Sequence, residues 1–190
     1  DASFKRYGLR ITLVEFSDYN LPNAALQDKS LDVNIYQHAP YLKQAMLAKG
    51  YAFEVIGRTF VYPMGVYSDK YSSLSALPDG AVIAIPNDPS NEERALRLLA
   101  QQGLLQLEPD TPASVHTITE NPRGFIITPL DAAQLPRILP DVGAAVINTT
   151  FAIPAGLSPS ADALALEGKA SPYANLIVVR QDSHKKDKLK

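Results

Sequence analysis

The sequence has no cysteine, so it forms no disulfide and offers no thiol nucleophile, thiolate metal site or lipid-bearing cysteine within these residues. Charge of one sign is not in excess. Eighteen Lys and Arg face 20 Asp and Glu, a formal net charge of -2, so no global positive field exists to draw phosphate backbones or anionic lipid, and nucleic acid is not an expected partner. No apolar run approaches the roughly 20 residues needed to cross a bilayer, and Asp1 to Arg10 lacks the apolar core of a signal peptide. Histidines are few and scattered, at His38, His116 and His184, and no GxSxG, HExxH, Walker A or GxGxxG pattern occurs. No metal site or cofactor is expected. What remains is an ordinary globular composition, 46% hydrophobic and 20% charged over 190 residues, enough for one domain or two small lobes.

Short β-rich runs recur at Arg10–Phe16, Val33–Gln37, Phe53–Tyr62, Ala81–Pro86, Gly124–Leu130, Ala144–Asn148 and Asn175–Arg180. Helical spacing of leucines and alanines fills Pro40–Lys49, Asn91–Gln102 and Asp131–Leu139. The alternation predicts an α/β protein with mainly parallel sheets. Ser90 or Asn91 is the expected cap of the second helix, with Glu92 and Glu93 in its first turn and Gly103 at its end. Pro63-Met64-Gly65 suggests a crossing between two halves. Glu108 to Arg123 reads as a surface connection around a short helix, and His184 to Lys190 as a solvated tail.

Two segments that follow β-rich runs gather aromatics where α/β proteins build ligand sites, at the carboxyl ends of strands: Phe16-Ser-Asp-Tyr19-Asn20 and Tyr36-Gln-His38-Ala-Pro-Tyr41. Tyrosine rings beside a histidine can enclose an apolar or thioether group; the alternative is plain aromatic packing at a domain edge. Pro86-Asn-Asp-Pro-Ser-Asn91-Glu-Glu-Arg94 leads into a helix N-terminus, where backbone N–H groups favour an anion and Arg94 could fork onto a carboxylate. Arg94 could equally pair with a first-turn glutamate or a neighbouring loop carboxylate. Asn148 and Asn175 adjoin β segments and could accept from an ammonium group or satisfy a turn. A general base is conceivable at His38 beside Asp18 or Asp32, but no serine nucleophile stands in a recognisable turn.

Eight motifs in register over nearly the whole chain resemble the methionine-binding lipoproteins of the NlpA type: Phe16-Ser-Asp-Tyr19, Tyr36-Gln-His38-Ala-Pro-Tyr41-Leu, Tyr62-Pro-Met-Gly-Val-Tyr67-Ser, Leu77-Pro-Asp-Gly80, Ile85-Pro-Asn-Asp-Pro-Ser-Asn91, Leu130-Asp-Ala-Ala-Gln-Leu-Pro-Arg137, Ala145-Val-Ile-Asn148-Thr-Thr and Ser171-Pro-Tyr-Ala-Asn175. The resemblance implies a two-lobed α/β periplasmic-binding-protein fold of the second class, with two chain crossings and the ligand taken between lobes. Residues 1–65 would begin lobe 1, residues 66–167 would form lobe 2, and residues 168–190 would return to lobe 1. It further implies a non-enzymatic, extracytoplasmic methionine receptor, a monomer serving the permease and ATPase of an ABC importer. Contact with the membrane would come only through a lipid anchor outside these residues. Tyr19, Tyr36, His38 and Tyr41 would surround the methionine side chain, Arg94 would meet its carboxylate, and Asn91, Asn148 and Asn175 would fix the polar end. Tyr36 stands where many relatives have phenylalanine, which adds a hydroxyl in need of a partner. Relatives of this type begin with another strand and most of a helix before the position of Asp1 and continue into further helices after Lys190, so the chain is expected to be truncated at both ends. The alternatives kept open are a receptor of the same fold for another small apolar amino acid or dipeptide, and a His38-dependent enzyme.

Overall fold

The computed structural model describes residues 8, 10–168 and 171–185. The start of the chain up to residue 7 and the lysine-rich end of the tail, residues 186–190, lie outside the described residues, as do residues 9, 169 and 170. The fold is α/β and divides into two compact units: residues 1–60 with 173–190, and residues 61–172.

The first unit is built on a three-stranded sheet in the order β1–β10–β2, where β1 is Asn34–His38, β2 is Phe53–Val61 and β10 is Ala174–Arg180. β1 and β10 run antiparallel, pairing Asn34 with Val178 and His38 with Asn175 across an irregularity in register. Two helices, α1 (Leu21–Gln27) and α2 (Ala39–Lys49), belong to this unit. Leu26 of α1 and Leu42 of α2 meet Phe53, Leu176 and Val178 of the sheet in one apolar cluster. α2 starts where His38 caps it and Pro40 sits in its first turn, and it stops at Gly50, whose φ of 69° is a conformation a side chain would resist.

The second unit holds a five-stranded sheet in the order β7–β4–β8–β3–β9: β3 Met64–Tyr67, β4 Val82–Pro86, β7 Ile126–Leu130, β8 Ala144–Asn148 and β9 Ala165–Leu166. Every residue of β3 and β8 is buried. An unbroken apolar strand is what two covered faces require, and the side chains divide between those faces with period two. Met64, Val66, Ile83, Ile85, Ala144 and Val146 pack with α3 (Pro89–Gln101) through Ala95, Leu96 and Leu99. Tyr67, Ala84, Ala145 and Ile147 pack on the opposite side with Leu135 and Leu139. Tyr67 is wholly buried, and burial pushes its hydroxyl up to about 12.

Several expectations are corrected. Sheet pairing is mixed, with β4 parallel to β7 and β8 but β3 antiparallel to β8 and β9. Arg10–Phe16 is not a strand. It runs without regular structure, with Ile11, Leu13 and Val14 exposed; β-branched residues supply propensity but not the neighbouring ladder a strand needs. The helix expected over Asp131–Leu139 is broken into turns of 3-10 helix around a single α turn, α4 (Leu135–Ile138), because Pro136 and Pro140 remove backbone donors. α3 is capped by Asp88, not by Ser90 or Asn91: Pro89 takes the first helical position, and the Asp88 carboxylate accepts from Asn91 N. The connection from Glu108 to Arg123 does contain a short 3-10 turn, Val115–Thr117, and also the strand β6 (Ile118–Glu120) paired with β5 (Gln106–Leu107). The two compact units divide at residues 60/61 and 172/173, and Met64 and Gly65 pair with Asn148 and Ile147 inside the second unit's sheet.

Candidate functional site

In the first unit, Tyr36 and His38 come from β1, Tyr41 from the first turn of α2, and Tyr19 from the turn before α1. The three tyrosine rings form a triangle with centroids 6.0, 5.9 and 6.0 Å apart, the Tyr41 ring standing edge-on to both others. Both Tyr36 Oη and Tyr41 Oη donate to the Tyr19 carbonyl oxygen, at 3.1 and 2.8 Å. This supplies the partner that the extra hydroxyl of Tyr36 requires, and burial together with the neighbouring tyrosines raises that hydroxyl well above the usual phenol range. The helix that follows Tyr19 is tied to β1 by amides: Asn23 and Gln37 exchange two hydrogen bonds of 2.8 Å, and Asn34 Nδ2 donates to Asn23 Oδ1 and to the Pro22 carbonyl.

His38 is buried, and its Nδ1 accepts from Tyr41 N at 3.3 Å, so the neutral ring carries its proton on Nε2. Its ring stands 6.4 Å from Tyr41 and 5.0 Å from Tyr173, an aromatic that sequence reasoning did not single out. Asn175 lies opposite His38 across the β1–β10 ladder, and its carbonyl accepts from Thr59 Oγ1. The backbone thus groups Asn175 with the aromatic set.

The second unit gathers the other three residues. β4 and β8 run parallel, with Ala84 level with Ala145, so their carboxyl ends emerge side by side: β8 ends on Asn148, and β4 leads through Asp88 into α3. Asn148 Nδ2 donates to Asn91 Oδ1 at 2.9 Å, and Asn91 Nδ2 donates to both Asp88 oxygens at 3.0 and 2.9 Å. Asn148 is 6% exposed, and its Oδ1 is buried with no hydrogen-bond donor among the described residues. A buried acceptor left unpaired costs about 1–3 kcal/mol, a penalty that a ligand bringing an N–H to it would remove.

One turn into α3, Arg94 is 4% exposed and held from three directions. Its Nε donates to Glu167 Oε1 at 2.9 Å, Nη2 donates to Glu167 Oε2, and Nη2 also donates to the Tyr62 carbonyl at 2.8 Å. Glu167 is itself fixed to β3, since Oε2 accepts from Met64 N and the Glu167 N–H donates to the Met64 carbonyl. The loop carboxylate is therefore the partner of Arg94. The two first-turn glutamates are used elsewhere: Glu92 Oε1 accepts from Val115 N, and Glu93 pairs with Arg97 one turn on. Asp88 and Glu167 are the polar residues sequence reasoning missed. The Asp-Pro pair at a helix start was a signal available for the first; for Glu167, far along the chain, there was none.

Chemically, the first unit offers tilted and edge-on rings suited to an apolar or thioether group. The second offers a guanidinium, a helix start and a buried carbonyl oxygen, which suit the carboxylate and ammonium of an amino acid. Among the described residues there is no group of three His, Asp or Glu that could hold a metal ion, and no helix is long and apolar enough to cross a membrane.

Comparison with known proteins gives a consistent picture. The sequence model of the family described as NlpA lipoprotein matches residues 1–190. A probable D-methionine-binding lipoprotein MetQ of Vibrio cholerae is 49% identical over 179 residues, covering 93% of this chain and 66% of that protein. The D-methionine-binding lipoprotein MetQ of Escherichia coli K12 is 46% identical over 189 residues, covering 97% of this chain and 70% of that protein. The chain thus spans about two thirds of the length of these relatives. Among solved structures, a nutrient binding protein from Burkholderia cenocepacia bound to methionine superposes with a TM-score of 0.93 at 49% identity, covering 98% of this chain and 81% of that one.

Proposed function

Because this chain belongs to the NlpA lipoprotein family, we propose that it is a non-catalytic receptor that binds methionine outside the cytoplasm and delivers it to the permease and ATPase of an ABC importer. The observation that carries this reading is the triangle of Tyr19, Tyr36 and Tyr41 beside His38, a set of ring faces and edges that suits a thioether sulfur. The likeness to a solved protein bound to methionine supports it. In this reading the aromatic set recognises the side-chain end, Arg94 meets the carboxylate, and Asn91, Asn148 and Asn175 fix the polar end. The full-length protein is held at the membrane by a lipid anchor outside these residues, as the names of its relatives suggest, and it acts as a monomer.

Calorimetric titration of the ligand-stripped protein with L-methionine, D-methionine and leucine tests the reading. Submicromolar binding of methionine with leucine excluded is the expected result and also ranks the two isomers. No heat with any of the three, from folded and empty protein, would discard methionine as the ligand.

A further inference from the structure

The three polar residues at the start of α3 and the end of β8 form a chain whose direction is chemically fixed. A carboxylate only accepts hydrogen bonds, and both Asp88 oxygens face Asn91 Nδ2, at 3.0 and 2.9 Å. Asn91 must therefore turn its amide nitrogen toward Asp88 and its Oδ1 away. That oxygen, an acceptor, faces the Asn148 amide at 2.9 Å, so Asn148 must present its nitrogen to Asn91. The remaining atom of Asn148 is then the carbonyl oxygen, buried and without a donor among the described residues.

We propose that Asp88 is a positioning residue that sets the polarity of the Asp88–Asn91–Asn148 relay, and that the relay makes Asn148 Oδ1 a dedicated acceptor selecting ligands with a protonated primary amine. This deepens the methionine reading and rests on it for the identity of the ligand. Without the carboxylate, each amide could turn over and the same wall of the site could show an N–H, which would favour a carbonyl or carboxylate oxygen in place of the amine. Asp88 touches no ligand in this scheme. It acts through two amides, with its orientation held by Ser90 Oγ and Asn91 N, both donating to Oδ1 at 3.0 Å.

The variant that separates this from a structural role is Asp88→Asn, because asparagine caps helices as well as aspartate does but can donate as readily as accept. Methionine and its des-amino analogue 4-(methylthio)butanoate are titrated into the full chain, both as the parent protein and as Asp88→Asn, and thermal unfolding of both proteins is followed in parallel. The expected result is an unchanged unfolding temperature with the preference for methionine over the des-amino acid reduced about tenfold or more, the loss of one oriented hydrogen bond to a charged group. A preference that stays the same, or equal weakening of both ligands, overturns the proposal. Should Asp88→Asn fold poorly, Asp88→Ser keeps a capping oxygen and removes the acceptor-only carboxylate. If the parent protein binds neither compound, the methionine reading fails while the relay is still decided in the free protein. The side-chain amide resonances of Asn91 and Asn148 must both move in Asp88→Asn, and an unmoved Asn148 overturns the relay.

Discussion

Arg94 and Glu167 lie 73 residues apart in the chain, yet they form the least exposed ion pair among those described, at 4% and 11% side-chain exposure. Removing one member of such a pair strands the other charge in a site poor in water, which typically costs about 3–5 kcal/mol. Glu167→Ala is therefore expected to lower unfolding free energy by about that amount in urea denaturation, and loss of the Met64 N–H partner adds to the effect. A change below about 1 kcal/mol would mean that the pair behaves like a surface ion pair. The same physics shapes how Arg94→Ala must be read: weakened ligand binding in that variant mixes the loss of a carboxylate partner with an orphaned Glu167. Asn148→Ala must be read in the same way, since it removes the Oδ1 acceptor but also strands Asn91 Oδ1, which accepts from Asn148 Nδ2 at 2.9 Å.

Among the elements, β3 shows how one small residue sets the packing of a strand. Gly65 and Tyr67 point to the same face, and the tyrosine ring folds back along the strand, so that a Cβ on Gly65 would stand 2.9 Å from the Tyr67 hydroxyl and ring edge. Gly65→Ala must push a fully buried ring out of a packed cluster that includes Ala84, Ala145 and Ile147; overpacking of this kind costs about 1–3 kcal/mol. The prediction is a lower midpoint in denaturant together with an altered near-ultraviolet tyrosine signal; a wild-type midpoint would show that Tyr67 has room to move. β4 and β8 are legible in the sequence because continuous apolar runs leave few other fates for them, whereas β3, four residues after Pro63 with a glycine inside, reads there as a crossing between halves and is a strand only through its pairing with β8 and β9. Arg10–Phe16 misleads for the converse reason, since strand propensity is local while a strand exists only with a hydrogen-bonded neighbour. Asp131–Leu139 misleads because its leucines keep helical spacing while Pro136 and Pro140 withhold the donors a continuous helix needs.

For the molecule as a whole, ligand binding and stability are linked. A ligand that binds only folded protein, present at about 100 times its Kd, stabilises by about 2.7 kcal/mol, and at this chain length that raises Tm by about 5–10 °C. Methionine should produce such a shift in calorimetric unfolding and leucine should not; equal shifts would remove the selectivity assigned to the aromatic set. The sequence by itself determined the α/β class, most strand positions, the absence of cysteine chemistry, and the family, because apolar periodicity and motif order are properties of the chain read locally and in register. It also brought forward Tyr19, Tyr36, His38 and Tyr41, since aromatics clustered in and after β-rich runs are visible as a pattern. Only the tertiary structure decided that Arg94 is held by Glu167, that Tyr173 stands against His38, and that Asp88 orients Asn91 and Asn148. Those partnerships join residues from different strands, loops and helices, or turn on which end of an amide faces a carboxylate, and hydrogen bonds over such separations are fixed by packing and register rather than by any neighbour in the sequence.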